Sequence, residues 1–446
     1  HLYWDILRLW TEIQNGLRIA AGSGNGSLAG MGVDTWGVDY GLLDTSDHLI
    51  GNPYHYRDAR TDGMIEAACR IVPREEIYNQ TGIQFMQLNT LFQLFAMRQE
   101  NHPALQSVKT FLTIPDLFNF WLTGRKANEF TIATTTQCYN PREKRWASEL
   151  LAALDIPQQI FQPIIPPGTV LEPLRAAVAE EASCPRIPVI AVGCHDTASA
   201  VAAVPAEGSD FVYISSGTWS LIGIESREPI ISANSLKYNL TNEGGVSDTI
   251  RFLKNIMGMW LLQESRRQWA QAGRNYSYAE LTDLAAEAPA LKSFVFVGDD
   301  RFLAPGHMLE RIQMFCSETG QPIPQTHAEV VRSILESLAL EYRWGVEKLR
   351  ELSGRALPVI HIIGGGSRNR LLNQFTADAT GCQVIAGPVE ATAIGNILLQ
   401  AIGLGQLSSL AEGRALVLRS FDVTSYEARS SAAWDDAYQR YLALRR

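Results

Sequence analysis

Apolar residues recur at helical spacing near the start of the chain. Leu2, Ile6, Leu9, Ile13, Leu17 and Ala20 share one face, which predicts an amphipathic helix over 2–20. The glycine-rich run at 21–27 ends it, and Gly-Ser-Gly-Asn-Gly-Ser at 22–27 follows a helix and not a strand. Small and β-branched residues then fill 28–44, predicting one or two strands around a bend at Gly37. Residues 53–63 read as a polar loop, helical patterns dominate 64–127, and 128–185 is loop-rich, with Pro166-Pro167-Gly168 and Pro185. The unbroken apolar run 187–193 predicts a buried parallel strand, with a turn and a helix after it at 194–204. Residues 210–225 predict two strands joined by a turn at Ser215-Ser216-Gly217-Thr218. Helices are predicted over 251–269 and 327–352.

The last third repeats one pattern. Pro358–Ile363 reads as a strand, Gly364-Gly365-Gly366 as a turn and 367–380 as a helix, followed by a strand at 382–387 and a helix at 390–403. Strand, helix and strand of these lengths make a βαβ crossover and hence a parallel or mixed sheet. With a boundary at Pro205–Gly208, the expected organisation is two α/β domains, about 1–205 and 206–446, with a cleft between them.

Composition narrows the function. The 446 residues are 46% hydrophobic and 19% charged, which excludes a disordered or fibrous chain. Lys+Arg number 38 against 47 Asp+Glu, a net charge of −9, which argues against a nucleic-acid partner. A phosphate ligand stays open, because backbone N–H groups and a metal hold one without net positive charge. Six cysteines (69, 138, 184, 194, 316, 382) show no Cys-x-x-Cys pair, which points to a reduced, cytoplasmic protein. The longest uncharged stretch, Ala391–Leu410, carries Asn396, Gln400, Gln406 and three glycines, so no membrane span is expected. No signal-peptide pattern follows His1.

Candidate chemistry lies at the turns. Gly193-Cys194-His195-Asp196-Thr197 sits where a buried strand gives way to a helix, the place where open α/β sheets hold ligands. Asp196 there either accepts a proton from a bound hydroxyl or, like Thr197, merely caps the helix. The Ser215–Thr218 turn is either a phosphate-holding loop or a plain hairpin. The triple glycine 364–366 opens a helix and suits a phosphate or nucleotide, although it matches neither the dinucleotide fingerprint nor the P-loop. The glycines and alanines of 381–405 read as close helix–sheet packing. Asp34 and Asp39 flank Trp36-Gly37, a combination that suits a sugar or a solvated strand edge. Arg57, Asp58 and Arg60 form an ion-pair network or touch a sugar, and Asn242-Glu243-Gly244-Gly245 is a loop turn or a polar clasp. On the predicted helix 251–269, Asn255, Met259 and Gln263 fall on one face. Metalloprotease, paired Cys/His and Gly-x-Ser-x-Gly patterns are absent from the sequence.

The stretches VDTWGVDYGLLD, YRDART, GCHDTASAV, SSGTWSLIGIE, TNEGG, RFLKNIMGMWLLQE, HIIGGGSRNRLLNQFTADATG and GPVEATAIGN occur in this order from about 31 to 405. Together they resemble the FGGY family of carbohydrate kinases. The resemblance implies an actin-like, ribonuclease-H-like ATPase fold of two α/β domains with an interdomain cleft. It implies transfer of phosphate from ATP, with Mg2+, to the 1-hydroxyl of L-rhamnulose. The alternatives are another ketose, L-fuculose or L-xylulose, or a non-catalytic sugar- or nucleotide-binding member of the fold. Matched residue by residue, Asp196 is implied as the catalytic base; Gly37, His195, Thr197 and Asn255 as sugar contacts; Thr218 at the ATP phosphates; and Gln263 and Gly365 at the nucleotide. Family members open with a strand–turn–strand bearing an Asp-x-Gly-x-x-Ser-type phosphate loop. This sequence begins at the point that matches the segment after it, so either such a segment precedes His1, which is the expectation, or the chain is a degenerate member that lacks it.

Overall fold

A computed structural model describes residues 1–24, 27–429 and 432–445; Asn25 and Gly26 of the glycine-rich run lie outside the described residues. The chain divides into two compact units. The first comprises His1–Ala203, Glu225–Phe252 and Thr392–Gly413; the second comprises Val204–Ile224, Leu253–Ala391 and Arg414–Arg446.

In the first unit the amphipathic helix is Ile6–Gly22, started by the Asp5 carboxylate, which accepts from the Arg8 N–H at 3.1 Å. It buries Ile6, Gln14 and Leu17. The expected extended stretch splits into the strands Met31–Gly32 and Tyr40–Leu43. Met31–Gly32 runs parallel to Pro188–Ala191, which pairs antiparallel on its other side with Thr169–Pro173. Val189, Ile190, Ala191 and Val192 are fully buried and pack with Leu174, Ala202 and Leu399. The unbroken apolar run therefore reports a strand covered on both faces. The helix Ala391–Gly403 returns to this unit and lies so close to Asp196–Ala202 that a Cβ on Gly395 would stand 2.6 Å from the Ser199 carbonyl carbon. The small residues there serve close packing between helices, besides the packing of Gly403 against Ile190.

The loop-rich stretch 128–185 holds more order than its composition suggests: short strands at Asn128–Glu129, Tyr139–Asn140 and Ile164–Ile165, and helices Phe130–Thr134, Ser148–Ala153 and Ala176–Glu181. Elements of two to six residues leave too short a periodicity to read.

The second unit is built on a mixed sheet. Phe211–Ser216 and Trp219–Ser226 form the expected hairpin, in register from Tyr213↔Gly223 to Ser216↔Ser220. Val359–Ile363 lies parallel to Phe211–Ser216, Gln383–Ala386 parallel to that, and Thr424–Tyr426 closes the edge antiparallel. The helix His327–Ser353 buries Ile334, Leu338, Tyr342, Val346 and Leu349 along one stripe and packs on Tyr278–Glu287 and Arg370–Thr380. A reciprocal cap between Thr326 and Glu329 begins it, and Gly354 at φ 68° ends it.

One helix expectation fails. Residues 251–269 are a strand, Ile250–Met257, followed by a helix, Trp260–Gln271. Six of the eight strand residues are buried, Arg251 among them, so sheet burial on both faces overrides the helical propensity of Leu, Lys and Met. Gly258 makes the junction: a Cβ there would meet the Ser220 N and the Trp219 carbonyl carbon, each at 2.7 Å. Asn255 therefore lies on the strand and shares no helical face with Gln263. Among the described residues no helix is long and apolar enough to cross a membrane.

Candidate active site

The first group of site residues grows from two parallel segments. Beyond the pairing of Met31–Gly32 with Val189–Ile190, Thr35 bridges His195: the Thr35 N–H donates to the Cys194 carbonyl and the Asp196 N–H to the Thr35 carbonyl, both at 2.9 Å. Both segments end together, which sets Trp36-Gly37 beside His195-Asp196-Thr197 at the carboxyl ends of the strands. Gly37 is held against Thr135, whose Oγ1 accepts from the Val38 N–H at 3.1 Å; a Cβ on Gly37 would stand 3.1 Å from that oxygen.

Asp196 opens the helix Asp196–Ala202. His195 is the capping residue, and no side-chain hydrogen bond caps this helix. The Asp196 side chain is 45% exposed, and its Oδ1 accepts from Thr197 Oγ1 at 3.1 Å and stands 3.5 Å from His195 Nε2. A carboxylate that is not spent on a cap and reaches solvent is free to meet a hydroxyl. On the far side of the imidazole, His195 Nδ1 accepts from Arg251 Nη2 at 2.9 Å and lies 3.4 Å from Glu243 Oε2. Asn242-Glu243-Gly244 thus belongs to a strand whose Glu243 backs the site, the polar-clasp alternative.

Two buried acids that the sequence reading did not single out hold this turn. Glu129 accepts from the Cys194 N–H at 3.1 Å, the Thr131 N–H at 2.9 Å and Thr131 Oγ1 at 2.6 Å. Asp116 accepts from Thr113 Oγ1 at 2.5 Å, Asn128 Nδ2 at 2.8 Å and the Glu129 N–H at 3.1 Å. Burial pushes Asp116 up to about 7 and Glu129 to about 8. The signal that could have found them is an Asn-Glu pair set directly before an apolar helix start, with Thr two residues on, the pattern of a cap.

The acids flanking Trp36 divide in role. Asp39 is committed internally, accepting from Trp4 Nε1 at 2.6 Å, Trp36 Nε1 at 2.9 Å and Gln93 Nε2 at 3.0 Å. Asp34 accepts from Asn396 Nδ2 at 2.6 Å, and burial, with the Asp196 charge adding to it, raises its carboxyl to about 6. In the YRDAR segment Asp58 caps the turn Ala59–Thr61, and Arg60 donates to the Gln93 carbonyl and Oε1, a structural role for that cluster.

The second group lies around the Ser215–Thr218 turn. The Gly217 N–H donates to the Trp219 carbonyl, and the Gly217 and Thr218 carbonyls accept from the Met259, Gly258 and Trp260 N–H groups at 3.0–3.2 Å. The turn therefore seats the start of the helix Trp260–Gln271, and Thr218 Oγ1 donates to Gln263 Oε1 at 3.1 Å. The three glycines have different tasks. Gly364 takes φ 82° and ψ −175°, a conformation reserved for glycine, and a Cβ on Gly366 would stand 2.6 Å from Ser216 Cβ. A Cβ on Gly365 would meet nothing within 4 Å. Gly365 and Gly366 line a cavity of about 480 Å³ with Gln263, Met259, Tyr278, Thr282, Arg368, Asn369 and Val389. Such a volume, with apolar walls and a few polar groups, suits a small cofactor.

The structure thus brings Gly37, His195, Asp196 and Thr197 together in the first unit, and Thr218, Gln263 and Gly365 in the second. Asn255 lies on the strand Ile250–Met257. Among the described residues no group of three or more His, Cys, Asp or Glu is arranged to hold a metal ion.

Models of the N-terminal and C-terminal domains of the FGGY family of carbohydrate kinases match residues 2–203 and 212–404. The chain is 46% identical over 438 residues to a rhamnulokinase of Bacteroides thetaiotaomicron, covering 98% of this chain and 89% of that protein. It is 44% identical over 442 residues to a rhamnulokinase of Enterococcus faecalis, covering 98% and 88%. Among solved structures, a ligand-bound xylulose kinase from Lactobacillus acidophilus superposes with a TM-score of 0.84 at 16% identity, over 99% of this chain and 89% of that one. A Plasmodium falciparum glycerol kinase with ADP gives 0.79 at 15% identity, over 99% and 90%. The fold is the two-domain, mixed α/β fold of sugar kinases, and the chain belongs to the FGGY family of carbohydrate kinases.

Proposed function

We propose that this kinase transfers the γ-phosphoryl group of ATP to the 1-hydroxyl of L-rhamnulose. The observation that carries the reading is the 41–46% identity, over nearly the whole chain, to several curated relatives named rhamnulokinase.

Asp196 is the general base. Both of its neighbours sit on Oδ1, which leaves Oδ2 to take the hydroxyl proton as the sugar oxygen attacks phosphorus and the bond to the ADP oxygen breaks. Gly37, His195, Thr197 and Asn255 contact the sugar. Gly37 supplies backbone that a ligand can approach, and Thr197 supplies a hydroxyl whose oxygen can accept a hydrogen bond.

Thr218, Gln263 and Gly365 contact ATP. The glycine cradle supports this, since its open member faces a cavity of cofactor size. Mg2+, carried largely by the ATP phosphates and water, would neutralise charge that develops on the transferred group. Six free thiols support a reducing compartment, the cytoplasm.

The test is ADP release with MgATP and each of L-rhamnulose, L-fuculose and L-xylulose. L-Rhamnulose should turn over fastest. Faster turnover of either rival ketose overturns the substrate, and sugar binding without ADP release from any of the three overturns the kinase reading in favour of a binding protein.

A further inference from the structure

Arg251 has the largest side chain among the fully buried residues, with no solvent exposure. A guanidinium stays charged in such a place, so its partners fix both its position and its purpose. Its Nε donates to the Gly244 carbonyl at 2.7 Å, and Nη2 stands 3.3 Å from the buried Glu243 Oε2. That same Nη2 donates to His195 Nδ1 at 2.9 Å.

This last contact carries information about a proton. A guanidinium has no lone pair to offer, so Nδ1 must be the acceptor. A neutral imidazole holds one acceptor and one donor nitrogen, and its proton therefore sits on Nε2. Nε2 is the nitrogen that stands 3.5 Å from Asp196 Oδ1. Glu243 Oε2, 3.4 Å from Nδ1, would favour the opposite tautomer, but its contact is longer and it is shared with the guanidinium.

We propose that Arg251, neutralised by Glu243, is a positioning residue for phosphoryl transfer: it locks His195 as the Nε2–H tautomer, so that the imidazole donates toward Oδ1 of the Asp196 carboxylate and leaves Oδ2 for the sugar hydroxyl. Arg251 is buried behind His195 and acts through it. The kinetic part rests on the kinase reading above; the tautomer does not.

The test uses the whole protein with 15N-labelled histidine. The signal of His195, identified among eight histidines by its loss in His195→Gln, should report a protonated Nε2 and a bare Nδ1. A proton on Nδ1 in the wild type overturns the proposal. Arg251→Met should mix the two tautomers and lower kcat about tenfold, with KM for ATP unchanged, because a loosened catalytic geometry costs rate and not nucleotide binding. Arg251→Lys, which restores a donor, should recover part of both. In a His195→Gln background Arg251→Met should cost little more, since the two residues act in series. Full additivity there, or a folded Arg251→Met with the wild-type tautomer and kcat, overturns the proposal. Should Arg251→Met fail to fold, the charge-neutral pair Arg251→Met with Glu243→Gln carries the same comparisons. Absence of ADP release from the wild type defeats the kinase reading alone, and the spectrum still decides the tautomer.

Discussion

Adding one methyl group to Gly366 and to Gly365, adjacent residues of the triple glycine, should have opposite consequences. On Gly366 the new carbon would stand 2.6 Å from Ser216 Cβ and 3.1 Å from the Ser216 carbonyl oxygen. Ordinary carbon–carbon contact begins at roughly 3.5 Å, so the turn and the strand must part by almost an ångström. Ser216 is paired with Ser220 and buried in the hairpin, and has nowhere to go. Overpacking of this kind costs about 1–3 kcal/mol. On Gly365 the methyl meets nothing within 4 Å, and stability should stay within about 0.5 kcal/mol of wild type. Its cost should fall on function, because the methyl enters the cavity assigned to ATP: KM for ATP should rise several-fold. Urea unfolding followed by tryptophan fluorescence, alongside ATP titrations of initial rate, separates the two effects. A Gly366→Ala protein as stable as wild type, or a Gly365→Ala protein as destabilised as Gly366→Ala, would refute the contrast between a glycine packed on Ser216 and one with open space before it.

Further predictions are more direct. Asp196→Asn should fold normally, since its side chain is half-exposed and caps no helix, yet lose roughly 10²-fold or more in kcat; near-normal turnover would remove it from the chemistry. Thr218→Val should raise KM for ATP more than KM for the sugar, and equal effects on both would argue against its place at the phosphates. Asp34 gives a pH signature. Its folded carboxyl is raised to about 6 from an ordinary value near 4, so the folded state holds a proton that the unfolded chain has released. Its contribution to stability is present below about pH 4 and disappears as pH rises through 6. Relative to Asp34→Asn, which cannot titrate, the wild type should lose on the order of 1–2 kcal/mol across that window, and parallel stability profiles would contradict the burial argument.

Legibility in the sequence followed the length and exclusivity of each pattern. The βαβ unit at 359–403, the hairpin with its Ser-Ser-Gly-Thr turn and the long helix at 327–353 read correctly, because each has an unmixed period and a glycine or cap at its end. The strand Ile250–Met257 misread because its two faces are both buried, which erases alternation, and because the following helix supplies a genuine helical period to the same window. The candidate site was half visible. Asp196 and Gly365 stand out as polar or small residues where a strand ends. Arg251, Glu129 and Asp116 do not, because an arginine in an apolar run reads as a surface residue until its partners, brought from distant segments, are known.

The first unit is assembled from three separate stretches of chain, the last ending at Gly413. Proteins usually fold as they are made, the earlier domain ahead of the later one. That order is closed to this chain. Until the ribosome has passed Gly413, the helix that begins with Asp196 lacks Gly395 and its neighbours over Ser199, while most of the second unit's residues have already emerged. The first unit's earlier stretches must thus wait for residues 392–413, holding an unfinished apolar face while most of the second unit is made.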